Sequence, residues 1–268
     1  MKAAGEDRFP CCLSHALMVC AGFAAFLVWD QWHWWSVKED YAFGYLVPAF
    51  VAYVVYDRWP RVRALAAAQP AVIAPGWMRR VATVKAVVVL AGGLAFFAMG
   101  AFYRAGAGLS QPASLAMALG FAALSLSLVY LNGPESTPAA GGVPARGLVD
   151  GLRATLAEPR LRLAALFLFP ALVWVISAPL VSAIENTISL FLLNRVTSVV
   201  FFVFDMLGLP LERQGNVLVL PHGEVGVEEA CSGIRSLTGS LFAGSFLAAV
   251  FLVKLWKKVA LVVAAMVL

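Results

Sequence analysis

One cysteine, Cys231, stands in the run Glu228-Glu229-Ala230-Cys231-Ser232-Gly233-Ile234-Arg235-Ser236-Leu237, between two carboxylates and an arginine, just ahead of a long apolar stretch. This is the one place in the chain where reactive groups concentrate. A thiolate is a strong nucleophile, and a helix beginning near Ser232 or Gly233 would put Cys231 at its N-terminus. There the free backbone N–H groups and the helix dipole favour thiolate over thiol. Arg235, four residues on, falls on about the same helix face and adds a positive charge. The alternative is a helix start with a buried, inert cysteine and an arginine that snorkels to the interface.

The elements that must position this run are membrane helices. Of 268 residues, 62% are hydrophobic and only 13% charged, which no soluble domain of this size shows. A hydrocarbon core of ~30 Å needs about 20 helical residues. Clear apolar runs of that kind lie near 13–29, 81–103, 112–131, 161–183 and 235–253, with a weaker one near 42–57 and another beginning at 259. The expected fold is an all-α polytopic membrane protein of about seven or eight transmembrane helices, one integral membrane domain over 1–268. The first run is bounded by Trp29-Asp30 and not by a small-residue cleavage site, so it reads as an anchor. Residues 188–207 are apolar but carry Asn194, Arg195 and Asp205, and read as a helix on the outer face of the bundle, or else as a span lining a polar cavity. Asn216–Leu220 and Glu224–Glu228 around Pro221-His222-Gly223 read as a small extracytoplasmic β-hairpin that delivers the chain to Cys231.

Arg58, Arg61, Arg63, Arg79 and Arg80, then Arg146, Arg153, Arg160 and Arg162, then Lys254, Lys257 and Lys258 fall on one side if the spans alternate. That side is expected to be the cytoplasm, which places Cys231 outside. The same loop bias explains the net charge of +5, so nucleic acid is not expected as a partner. The lipid bilayer is.

Other candidates are weaker. Cys11 and Cys12 read as small hydrophobes at a span entrance, or as palmitoylation sites. No C-x-x-C pair exists, which disfavours disulfide exchange. Three scattered histidines make no ligand set, so neither metal nor organic cofactor is implied. His33 reads as part of an aromatic belt and His222 as a solvated turn residue. More suggestive is Asp40-Tyr41-Ala42-Phe43-Gly44-Tyr45-Leu46-Val47-Pro48, on the same side of the membrane as Cys231 and able to share one site with it.

Glu229-Ala230-Cys231-Ser232-Gly233-Ile234-Arg235-Ser236 resembles the signature of the exosortase/archaeosortase family. The preceding Gly223 and Val227 support this, and Trp35 to Pro48 with Asp57-Arg58-Trp59 is similar to the family's early outward-facing motif. The resemblance implies a multi-pass cysteine protease or transpeptidase of the cytoplasmic (inner) membrane, with an extracytoplasmic active site. It would act on secreted proteins carrying a C-terminal tripartite, PEP-CTERM-like signal: a Pro-Glu-Pro type motif, a membrane helix and a basic tail. Cys231 would be the nucleophile, with Arg235 stabilising the thiolate or the developing oxyanion, or else packing against phosphate head groups. Phe43 stands where many members have histidine. The family's essential arginine and later histidine belong to spans after the cysteine motif. Val259–Leu268 is too short to cross the bilayer, so the chain is expected to be truncated at its C-terminus and catalytically deficient as it stands. The rival reading is a non-catalytic transporter or assembly scaffold with a structural Cys231; that class calls for mid-span ionisable residues and inverted repeats, and only Arg195 and Asp205 qualify.

Overall fold

A computed structural model of the 268-residue chain describes residues 10–67, 72–73, 75–134, 143–144, 147–208, 212–215, 217–220, 223–226 and 233–267. Helix dominates. The order is α1 (Cys11–Val37), a 3-10 helix (Glu39–Leu46), α2 (Val47–Ala66), β1 (Val72–Ile73), α3 (Gly76–Ala107), α4 (Gln111–Leu131), β2 (Val143–Pro144), α5 (Leu148–Ala157), α6 (Pro159–Leu166), α7 (Leu168–Ser177), α8 (Ser182–Met206), β3 (Glu212–Gln214), β4 (Val217–Leu220), β5 (Gly223–Gly226), α9 (Ile234–Phe251) and α10 (Leu255–Val267). The chain is therefore an all-α polytopic membrane protein. Among the described residues, five stretches are long and apolar enough to cross a bilayer: α1, α3, α4, α6 with α7, and α8. α2 carries Asp57, Arg58, Arg61 and Arg63 in its second half, and α9 is shorter.

Three of the boundaries that differ from the sequence reading do so for a clear physical reason. α1 does not stop at Asp30 but continues to Val37, because Asp30 is buried and paired with Arg104 at the end of α3. The run at 42–57 divides into a 3-10 helix and α2, with Pro48 in the first turn of α2, where its missing N–H costs nothing. The run at 161–183 breaks at Phe167 and ends at Ser177. Pro170 has no N–H to offer the carbonyl of Leu166, so the helix is interrupted where it would otherwise be continuous.

That orphaned carbonyl is met from another helix. Arg58 of α2, nearly buried, donates one guanidinium N–H to the carbonyl of Leu166 and another to that of Ala249, 2.8 Å away, in the last turn of α9. A single cation thus satisfies main-chain acceptors at two helix ends. α3 and α4 pack most closely of all the pairs, and a Cβ on either Gly93 or Gly120 would collide with the other helix's backbone.

The bundle has two distinguishable ends. One holds the basic loops, Arg58, the Arg160 side chain bonded to the carbonyl of Gly133, and the short parallel pairing of β1 with β2. Tyr41 lies at the other, its hydroxyl oxygen accepting from the N–H of Leu180 at 2.9 Å, as do the Lys38–Glu185 ion pair at 2.5 Å and Trp34 donating to Ser114. β3, β4 and β5 form an antiparallel sheet in that order, with Leu220 opposite Gly223. β3 was not expected. Arg213 on β3 bonds Asn194 and Ser198 on α8, so the sheet lies along that helix.

Candidate functional site

The 3-10 helix owes its position to Trp35. The indole N–H donates to the carbonyl of Ser177 at 3.1 Å, and the ring lies so close under Gly44 that any Cβ there would overlap it. Gln31 donates to the carbonyl of Trp174 and accepts from the hydroxyl of Ser177 at 2.8 Å, so α1 and α7 share one buried polar network beside the 3-10 helix. Gly44→Ala is therefore expected to lose about 2–4 kcal/mol, because neither the ring nor the backbone has room to yield. A thermal unfolding midpoint in detergent equal to that of the wild type would overturn this.

Tyr41 is buried beside the same network, and burial pushes its phenol up to about 12. The neutral hydroxyl is the form that belongs to the fold. Since the folded value exceeds the ordinary tyrosine value of ~10, its stabilising contribution is complete below pH ~10 and lost as pH rises through 12. Alkaline unfolding followed by tyrosinate absorbance is expected to shift toward lower pH stress in the wild type than in Tyr41→Phe; coincident transitions would exclude Tyr41 as the trigger.

Against this platform stands the start of α9. Gly233 is its N-cap, in the left-handed conformation at φ 75°, and Ile234 is its first residue. The helix thus begins slightly later than the sequence suggested. Arg235 forms ion pairs with Glu39, and with Asp40 at 3.4 Å, while the Thr238 hydroxyl donates to the Asp40 carbonyl at 3.0 Å. Below them, Phe43 and Phe50 stack on Phe242 at 4.7 and 5.4 Å, and Phe50 stacks on Phe246 at 4.1 Å. Two segments nearly two hundred residues apart in sequence are therefore joined by charge, hydrogen bond and ring stacking.

Of the predicted site residues, Arg235 lies here, and its guanidinium is already engaged by two carboxylates. Cys231, His222 and the residues between β5 and Gly233 lie outside the described residues. The face shared by Cys231 and Arg235 accordingly rests on sequence spacing alone. Nothing in the sequence pairs Glu39 and Asp40 with Arg235; the only signal is their place in the stretch Trp35 to Pro48. His33 is exposed and edge-on to Trp34, as a belt residue would be. Asp57-Arg58-Trp59, grouped by resemblance with the outward-facing motif, sits instead at the basic end of α2, where Arg58 has its structural task.

The sequence model of the transmembrane exosortase family matches residues 34–268. The chain belongs to that family. The match begins beside Trp35 and includes both the 3-10 helix and the cysteine motif. No curated protein and no solved structure matches the chain.

Proposed function

We propose that the chain is a membrane-embedded cysteine peptidase or transpeptidase acting on secreted proteins with a C-terminal tripartite sorting signal, with Cys231 as nucleophile. Family membership supports a sorting-related role. The observation that carries the assignment to this place in the molecule is the joining of Glu39 and Asp40 to Arg235, which ties the early motif to the cysteine motif.

The thiolate attacks the scissile carbonyl and the amide C–N bond breaks. The leaving nitrogen takes a proton and departs with the signal's helix and basic tail. The acyl group stays on sulfur until water or an amine displaces it and restores the thiol. Arg235, steadied by Asp40, supplies positive charge two turns or less from the nucleophile's place in the sequence.

For topology, the basic end belongs in the cytoplasm of an inner-membrane protein and the 3-10 end outside it. The sheet β3–β5 has open edges, which hydrocarbon does not tolerate. Because the sheet lies along α8, that helix is best accommodated on the outer face, with α2 and α9 bringing the bundle to six spans and α10 entering the bilayer as the start of a seventh.

Co-expression tests the reading. A reporter followed by a Pro-Glu-Pro segment, an apolar helix and a basic tail is expected to be shortened in cells expressing the natural gene that encodes this exosortase-family chain and not in cells lacking it. Unchanged reporter in both would sink the peptidase reading in favour of a scaffold. The Arg235 side chain is largely exposed, so Arg235→Gln is expected to cost under about 1 kcal/mol in stability. It should nevertheless reduce processing at least about tenfold, since charge at the reacting centre is worth more than charge at a surface. Equal processing by Arg235→Gln would remove that residue from the site.

A further inference from the structure

α1 and α2 follow each other in sequence, yet α1 rests on α4 while α2 rests on α6 and α7. Between them runs a cleft of about 1360 Å³ floored by α4 and α7. Its walls are two helical stripes, with Ser14, Ala21 and Val28 on α1 and Pro48, Ala52 and Arg63 on α2. From Pro10 to Val28 the α1 wall rises about 27 Å, close to the full ~30 Å of hydrocarbon. A phospholipid belongs to one leaflet and would fill only half of that length. A transmembrane helix would fill all of it. Alanines 21, 24 and 25 on one wall and Ala52 on the other leave room for a backbone to approach, as helix pairs in lipid require.

One polar group favours a direction for such a helix. At the basic end the cleft is lined by Arg63. A helix entering with its N-terminus at the 3-10 end presents its unpaired carbonyls and the negative end of its dipole to Arg63. The 3-10 mouth of the cleft, at Pro48, directly adjoins the segment that holds Arg235.

We infer that this cleft docks the single membrane helix of the substrate, with the residues just ahead of that helix delivered to the 3-10 helix and the start of α9. The inference rests on the peptidase reading for the identity of the helix, while the cleft itself does not depend on it. The basic tail runs beyond Arg63 to the lipid phosphates.

The native Cys20 lines the cleft and serves as the probe. In membranes, the full chain with Cys11→Ser, Cys12→Ser and Cys231→Ala meets the reporter described above, carrying one cysteine placed in turn along its apolar helix. Oxidation is expected to join Cys20 to positions recurring every three to four residues in the C-terminal half of that helix, and Ala25→Cys to positions nearer its N-terminus. Val88→Cys, on the exposed face of α3, should give only background. In a second arm with Cys231 retained, Ala52→Trp plugs the cleft. It should slow cleavage of the membrane-anchored reporter at least about tenfold, yet leave a soluble peptide bearing the same Pro-Glu-Pro segment cleaved at the wild-type rate. Cross-links without a helical period, cross-links equal to those of Val88→Cys, enzyme–enzyme disulfides alone, or equal slowing of both substrates would each overturn the docking site. If the wild type cleaves neither substrate, the peptidase reading fails while the cross-linking pattern still decides the docking.

Discussion

Cys231→Ala is expected to abolish release of the processed reporter, by at least about a thousandfold, while the protein still accumulates in the membrane. No other side chain in its motif can form the acyl-enzyme. The Ser232 hydroxyl is far more basic than a thiol, and the chain's histidines lie at positions 15, 33 and 222, none of them beside it in sequence. Cys231→Ser should fail equally, although it is nearly isosteric, because an alkoxide needs a base that a thiolate does not. Immunoblots of cells co-expressing each variant with the reporter provide the measurement. Processing retained by either variant at more than a few per cent of wild type would exclude Cys231 as nucleophile and return the motif to a structural role. Intact cells treated with a membrane-impermeant maleimide address the side of the membrane: modification of a chain whose only cysteine is Cys231 should not require permeabilisation.

The second large effect is expected far from the candidate site. Arg58→Leu removes both donors from the carbonyls of Leu166 and Ala249, leaving two acceptors in a protein interior where neither water nor main chain replaces them. At roughly 1–3 kcal/mol for each unsatisfied group, the loss is about 2–6 kcal/mol, a large part of the stability of an ordinary domain. Arg58→Lys should be intermediate, since one ammonium can approach one carbonyl closely but not span both as a planar fork does. The measurement is the midpoint of thermal aggregation in mild detergent, followed by the yield of folded protein after extraction. A midpoint for Arg58→Leu within experimental error of wild type would show that the helix ends find other donors. The effect bears on function because α9, anchored at one end by Arg58, carries Arg235 at the other.

The sequence by itself determined the class of the protein. Apolar runs of bilayer length leave no soluble alternative, since hydrocarbon accepts only backbone that satisfies itself. It also determined that the basic loops share one end, that Cys231 is the one cysteine set among charged residues, and that residues 229–236 carry a family signature. These are properties of composition and local spacing, and they need no knowledge of neighbours. Helix limits were less legible. α1 runs past Asp30 only because Arg104, 74 residues away, neutralises it, and the 161–183 run breaks only because Pro170 and Arg58 act together. Tertiary structure decided how the outward segments meet. The sequence allowed the stretch from Asp40 to share a site with Cys231, but only the fold sets Glu39 and Asp40 against Arg235, nearly two hundred residues on. The separation of α1 from α2 was equally hidden, because small residues at helical spacing describe a close-packed face and an open cleft in the same terms. Only the placement of α4 and α7 beneath them distinguishes the two, since the energy of packing belongs to pairs of surfaces and not to either sequence alone.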